Sequence, residues 1–325
     1  MADNAKTFLI IHNPASGSGK SSKALREVLT PGASMQGLMK LAGATNPSSW
    51  PIVETTENET WKERALGFLM AGRVAAVVVI GGDGTFAEAV RMLYGQKVKS
   101  ALPGIAQVAF VPIPAGRGND FVKTLCGFTQ ESEKFWAWAD QAQGWTDQAI
   151  DLVSANGRVF LNMASIGYGG HVVEKAQSRN AFWSKSSLVY QIEGALALVE
   201  SKEVRCEVKA DGETVYSGAF FGGFVGNGKA NGSGLYWLPE AALSDGKMDF
   251  IVFPKPSILE MGKTIKEVKN RRRPAFNHYS SKASDLTFHF DQEVALELDG
   301  DLCESKAVLE FHALPRALRV WRASN

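Results

Sequence analysis

Three short runs of almost uninterrupted apolar, largely β-branched residues constrain this chain most, because each runs straight into a loop punctuated by glycine or proline. Phe8-Leu9-Ile10-Ile11, Val74 to Ile80 and Val108 to Ile113 show no polar alternation, which is how strands covered on both faces read. Between them, Trp61 to Met70 and Phe86 to Tyr94 read as helices, so βαβ units and a parallel sheet follow. The loops are Asn13 to Lys20, Gly81 to Thr85 and Pro114 to Asp120. In an open parallel sheet, loops at the carboxyl ends of strands gather along one edge, where ligands bind. Three loops from three strands can therefore build one site.

After about Asp147 the pattern changes. Val204, Cys206, Val208 and Ala210 alternate with Glu203, Arg205, Glu207 and Lys209, the period of a half-exposed strand. Asp211-Gly212 suits a tight hairpin turn into Thr214 to Phe221, and Val294, Leu296 and Leu298 repeat the alternation. Ser187 to Ser201 is the one stretch of this part that reads clearly as a helix. An antiparallel β domain, a sandwich, is the expectation. At 325 residues the chain exceeds the usual size of a single core, so two domains are expected.

Composition excludes several classes. With 45% hydrophobic and 21% charged residues there is no case for disorder, and a net charge of +1 gives no global reason to bind nucleic acid. Cys126, Cys206 and Cys303 are far apart, which fits a reducing compartment and argues against a disulfide framework or a zinc site. The first residues, Met-Ala-Asp-Asn-Ala-Lys, lack the pattern of a signal peptide, and Val74 to Ile80 is far short of a membrane span. A cytoplasmic protein is expected, one that visits a membrane if its substrate is a lipid.

Gly81-Gly82-Asp83-Gly84-Thr85 is the strongest local signal. Its glycines let backbone approach a phosphate, and the helix that follows presents free N–H groups. Asp83 would repel bare phosphate but makes sense facing Mg²⁺; the plain alternative is a βα turn capped by Asp83. In Pro114-Ala115-Gly116-Arg117-Gly118-Asn119-Asp120-Phe121, two glycines clear space, Arg117 can neutralise phosphate charge, and Asp120 is a second metal candidate. Its alternative is a loop in which Asn119 or Asp120 caps the next helix. Gly19-Lys20-Ser21 ends like a P-loop, but that pattern needs glycine where Pro14 stands. Lys20 and the backbone of Asn13 to Lys20 can still meet phosphates.

In this order the three loops resemble those of the diacylglycerol kinase catalytic-domain superfamily, which includes sphingosine kinases and bacterial lipid kinases. The resemblance continues through Phe160-Leu161-Asn162 with Gly167, and through Tyr190 with Gly194-Ala195. It extends to Gly226-Asn227-Gly228, Gly232-Ser233-Gly234, Leu238-Pro239-Glu240-Ala241 and Asp245-Gly246-Lys247-Met248-Asp249. It implies an α/β N-terminal three-layer domain of residues 1–147 plus 312–325, with Ala317 to Trp321 as the returning strand. Residues 148–311 would form the β-sandwich, with ATP in the cleft between the domains. Asn13, Gly82, Gly84, Thr85, Gly116 and Asn119 would hold nucleotide, with Arg117 beside them. Thr55 or Thr56 would join them, a choice the sequence leaves open. Asp83 and Asp120 would organise Mg²⁺, while Asp245 and the Met248 carbonyl would bind a structural divalent ion. The acceptor would be a lipid hydroxyl at the membrane surface, in phospholipid biosynthesis.

Two positions depart from the family pattern. Arg117 stands where the family's G-T-x-N-D has threonine, and Asp299-Gly300-Asp301 stands where D-G-E is usual. The glutamate is the family's proposed base; Asp301 keeps the carboxylate on a shorter arm, and Glu304 is the alternative. Rival functions are an NAD-kinase-like or other small-molecule kinase, and a nucleotide- or lipid-binding regulator that has lost turnover. Lys263, Lys266, Lys269, Arg271, Arg272 and Arg273 could attract anionic lipid or simply form a solvated helix face before Pro274. Trp136, Trp138 and Trp145, close together, and Trp183, near a basic stretch, read as packing residues of a core or domain interface. The five histidines show no metal spacing, and His12 reads as a satisfied interior residue. Oligomeric state, a homodimer included, is left open.

Overall fold

The computed structural model describes residues 6–30, 32–44, 47–55, 60–98, 108–142, 144–172, 198 and 201–323. Thr56, Trp183, Tyr190, Gly194, Ala195 and nearly all of the expected helix from Ser187 to Ser201 lie outside them. Two compact units divide the chain: residues up to Ile150 together with those from Arg316 onward, and Asp151–Pro315.

In the first unit, strands β1 (Thr7–His12), β2 (Ile52–Glu54), β3 (Val74–Gly81) and β4 (Ala109–Pro114) run parallel in the order β4-β3-β1-β2. Val320, near the end of β14 (Asp301–Ala323), adds a parallel pairing with Phe110 on the other side of β4. Every residue of β4 is buried, as is every residue of β1 and β3 after the first. That double-sided burial is why these runs carry no polar alternation. The helices are α1 (Lys20–Leu29), α2 (Ala33–Ala42), α3 (Thr60–Met70), α4 (Asp83–Val98), α5 (Asp120–Cys126) and α6 (Phe135–Ala139). Helix α4 begins three residues before Phe86, because the Phe86 N–H already donates to the Gly82 carbonyl at 3.0 Å. The Gly-Asp-Gly-Thr loop is thus the helix's own first turn. Phe86, Phe110 and Phe121 meet with ring centroids 6.2–6.5 Å apart and pin α4, β4 and α5 together beneath that turn. The tryptophans pack: Trp138 lies 5.2 Å from Phe128, Trp136 lies 6.4 Å from Trp145, and Trp145 Nε1 donates to the Ser34 carbonyl.

Strand β5 (Trp145–Ala155) carries the chain into the second unit. There β6 (Arg158–Phe160), β7 (Met163–Gly167), β8 (Val204–Ala210), β9 (Glu213–Phe220), β10 (Gly222–Gly226), β11 (Met248–Phe253), β12 (Tyr279–Ala283) and β13 (Asp285–Leu298) follow. These strands pair antiparallel in the order β12-β11-β10-β7-β13-β14, with β8 on β13 and β9 on β8. Asp211 and Gly212, with φ of 50° and 88°, form the β8–β9 turn, two left-handed residues as a type I′ hairpin requires. Phe220, Phe250, Phe288 and Phe311 lie in the sandwich core. Phe224, Trp237, Phe253 and Phe276 form a second cluster, on which helix α7 (Ile258–Lys269) packs Met261 and Val268. A capping box between Ser257 and Glu260 starts that helix.

Phe288 is fully buried in the centre of the sandwich. Phe288→Ala is expected to cost about 3–5 kcal/mol in urea unfolding; a loss below about 1 kcal/mol would contradict this account of the core.

Candidate active site

Strands β1, β3 and β4 end level with one another, since His12 pairs with Ile80 and Gly81 with Pro114. Their loops therefore leave the sheet side by side. The contact between the second and third loops is backbone against backbone: a Cβ on Gly116 would lie 2.5 Å from the Gly82 Cα. The first loop closes on the third at Gly17, whose φ is 61° and whose added Cβ would overlap the Ala115 carbonyl oxygen. No residue with a side chain fits either crossing.

Side-chain hydrogen bonds lace the same loops. Asn13 Nδ2 donates to Thr85 Oγ1 at 2.9 Å, while Asn13 Oδ1 accepts from the Ala15 N–H at 3.0 Å. Asn119 is left-handed, with φ of 53°. Its Oδ1 accepts from the Gly116 N–H, and its Nδ2 donates to the Gly116 carbonyl and to Ser132 Oγ, each at 3.0 Å. Asn13, Thr85 and Asn119 thus spend side-chain polar atoms on the shape of the loops, leaving backbone groups and the cations of the loops to face a ligand. Gly84 sits exposed in the first turn of α4. Thr55 follows β2 and donates its N–H to the His12 carbonyl at 2.8 Å, which places it beside the first loop.

The first and third loops enclose a cavity of about 450 Å³ lined by Gly17, Lys20, Gly116, Arg117, Gly118 and Lys123, among others. Glycine backbone and three cations are the lining an anion needs. Lys20 opens α1 and is held by Glu133 at 2.9 Å, and Lys123 is held by Asp120 at 2.9 Å. Lys123 and Ser132 join the site only through the fold. Neither belongs to a recognisable motif; Ser132 is found only through its bond to Asn119.

Asp83 and Asp120 are the first residues of α4 and α5. Asp83 Oδ1 accepts the Phe121 N–H at 3.0 Å, so each helix start is tied to the other. Asp83 keeps part of its surface exposed, yet burial pushes its carboxyl up to about 6, and the neighbouring Asp120 charge pushes the same way. The Phe121 and Asp120 backbone N–H groups oppose that rise without cancelling it. A nearby cation would lower it. Among the described residues no three His, Cys, Asp or Glu side chains gather into a metal cage. Two carboxylates suit an ion that keeps waters and shares its remaining oxygen ligands with phosphates.

His12 corrects one expectation. It is buried, but its Nδ1 lies 3.4 Å from Glu54 Oε1 and its Nε2 has no hydrogen-bond partner among the described residues.

The remaining sequence candidates lie in the second unit. Asp301 starts β14, where its Oδ2 accepts from Arg158 Nη2 at 2.8 Å. Glu304 is exposed near Lys306, in the bulge where β14 takes an extra residue against Val294 and Leu296. Asp299 accepts the backbone N–H groups of Leu161, Asn162 and Met163 at 2.7–3.2 Å, which locks the Asp-Gly-Asp turn to the Phe-Leu-Asn segment. Glu297, two residues earlier, is buried and accepts from the Gly300 N–H, with burial pushing its carboxyl up to about 7. Asp245 accepts from the Lys282 ammonium at 2.8 Å and the Lys247 N–H at 3.2 Å. Met248 opens β11 opposite Ala283. Buried Asp151 accepts the Gly246 N–H at 2.7 Å and braces that turn.

Comparison with known proteins agrees with this layout. Residues 7–155 match the family model for the diacylglycerol kinase catalytic domain, and residues 162–322 match that for the YegS C-terminal NAD kinase beta sandwich-like domain. A "Probable lipid kinase YegS-like" protein of Pseudomonas aeruginosa is 27% identical over 273 residues, 80% of this chain and 82% of its own. One of the same description from Shewanella frigidimarina is 26% identical over 250 residues, 77% of each chain. The crystal structure of a diacylglycerol kinase from Bacillus anthracis superposes with a TM-score of 0.65 at 20% identity, covering 98% of this chain and 97% of that one, a likeness of fold. Fold and sequence family together define a two-domain phosphotransferase. The chain belongs to the diacylglycerol kinase catalytic-domain superfamily.

The raised Asp83 carboxyl yields a test that needs no ligand. A group with its folded value above its unfolded one stabilises below the unfolded value and loses that contribution as pH rises through the folded one. Relative to Asp83→Asn, the wild-type chain should therefore lose thermal stability between pH 4 and pH 7, with the difference constant above that. Melting curves that run parallel across this range would contradict the assignment.

Proposed function

We propose that this chain is an ATP-dependent lipid kinase that moves the γ-phosphoryl group onto the hydroxyl of a diacylglycerol-like lipid. The observation that carries the reading is the meeting of three Gly-rich loops, the first and third of which border a cavity lined by Lys20, Arg117 and Lys123. Names of relatives point the same way, since those of Pseudomonas aeruginosa and Shewanella frigidimarina are described as lipid kinases.

Phosphoryl transfer asks little covalent help of a protein; charge spread over the equatorial oxygens must be stabilised by groups already in place. Here the backbone N–H groups of the glycine loops and the three cations bind and orient the triphosphate. Asp83 and Asp120 would hold Mg²⁺, which when bound supplies neutralising charge at the phosphates. Asp301 takes the proton of the acceptor hydroxyl as the oxygen–γ-phosphorus bond forms, and the bond from γ-phosphorus to the bridging oxygen breaks to release ADP. Arg158 orients that carboxylate, and Asp299 fixes the turn that carries it.

The test is transfer of label from γ-labelled ATP with Mg²⁺ to mixed lipid micelles, with NAD offered in a parallel reaction. Label is expected in lipid, none after Asp83→Ala, and about 10²–10⁴-fold less after Asp301→Ala. Label in NAD but not in lipid, or nucleotide binding with no transfer, would overturn the reading. Full activity of Asp301→Ala would remove that residue from the mechanism.

A further inference from the structure

The outer face of α7 combines two features seldom left together on a protein surface. Ile258 and Leu259, in its first turn, are 69% and 78% exposed. Gly262, Lys263, Lys266 and Lys269 continue the same exposed face, while Met261, Thr264 and Val268 fill the buried one. The spacing accounts for this, since residues three, four and seven apart share a helix face. No carboxylate interrupts the outer face. Glu260 and Glu267 flank it: the first closes the capping box with Ser257 and feels Lys263, and the second pairs with Arg272.

Charge is concentrated here far beyond the chain average. Between Lys255 and Arg273 there are seven cations and two carboxylates, in a chain of net charge +1. They divide by role. Arg271 stacks on Tyr236, Arg272 pairs with Glu267, and Arg273 forms a two-pronged pair with Glu240. Lys266 and Lys269 make no ion pair among the described residues and project from the helix with Lys263.

We propose that this face of α7 docks on an anionic lipid bilayer, with Ile258 and Leu259 entering the acyl boundary and Lys263, Lys266 and Lys269 resting on the headgroups. Apolar side chains in the headgroup boundary plus lysines against a negative surface potential are how a peripheral protein gains affinity for such a membrane. A partner protein would need both an apolar pocket and acidic groups in register; a bilayer offers both everywhere. The inference adds to the lipid-kinase reading without requiring it, because docking is measured without nucleotide.

The test is co-sedimentation of the full chain with phosphatidylcholine vesicles, with and without phosphatidylglycerol, at low and high salt. Binding is expected only to the anionic vesicles and should weaken with salt. Ile258→Ser/Leu259→Ser should lower the partition coefficient at least about ten-fold. Lys263→Glu/Lys266→Glu/Lys269→Glu should lower it by roughly 100-fold or more, from about five-fold for each lysine. A control pair at another exposed apolar spot, Phe68→Ser/Met70→Ser on α3, should bind like wild type. All these positions are exposed, so thermal midpoints should stay unchanged and exclude misfolding. Failure of the wild type to bind, equal binding by the α7 variants, or a shift from dimer to monomer caused by Ile258→Ser/Leu259→Ser in light scattering would each overturn the proposal. Transfer to a short-chain, water-dispersed acceptor reports separately on the kinase reading, so the two can fail independently.

Discussion

The site depends on one contact between backbones. Gly82 and Gly116 touch where the turns after β3 and β4 cross, and Gly17 meets the Ala115 carbonyl a step away. A methyl group at either crossing would separate the loops. Strands that end level in a parallel sheet bring loops near each other, but only side-chain-free positions allow them to touch. The remaining polar groups then close the arrangement. Asn13 reaches Thr85, Asn119 folds the third loop on itself, and Ala115 donates to the Gly81 carbonyl at 2.7 Å. Little is left to move when a polyanion arrives. Such preorganisation is what electrostatic catalysis requires.

The same loops hold charge at a cost to stability. Asp83 and Asp120 repel each other in a partly desolvated setting, and Lys123 offsets that only in part. A fold selected for stability alone would place an amide at position 83, which can still accept the Phe121 N–H. Keeping a carboxylate there is intelligible if a cation and phosphates complete the site. In the second unit Glu297 repeats the pattern beside the Asp-Gly-Asp turn, again raised mainly by burial.

Much of this was legible in the sequence, for identifiable reasons. Buried parallel strands announce themselves because both faces exclude polar side chains, and β1, β3 and β4 do so. Glycines at the loop crossings are visible because no other residue serves there. The sandwich was visible through the alternation of β8 and the Asp211-Gly212 turn. What sequence could not show are partners joined only by folding. Ser132 supports Asn119 from 13 residues away, and Asp299 organises Leu161 from 138 away. His12 reads as a satisfied core histidine because burial is written in its neighbours; the open Nε2 is not. The basic stretch after Lys263 reads as one cluster until structure separates the arginines bound to Glu240, Glu267 and Tyr236 from the lysines that face outward.

Hydrogen–deuterium exchange with a non-hydrolysable ATP analogue and Mg²⁺ tests most directly whether the three touching loops are one phosphate-binding site. Segments 13–20, 81–86 and 114–121 should gain protection together, and Gly116→Val should remove the gain from all three at once. Protection confined to one of these segments, or unchanged in Gly116→Val, would contradict the account.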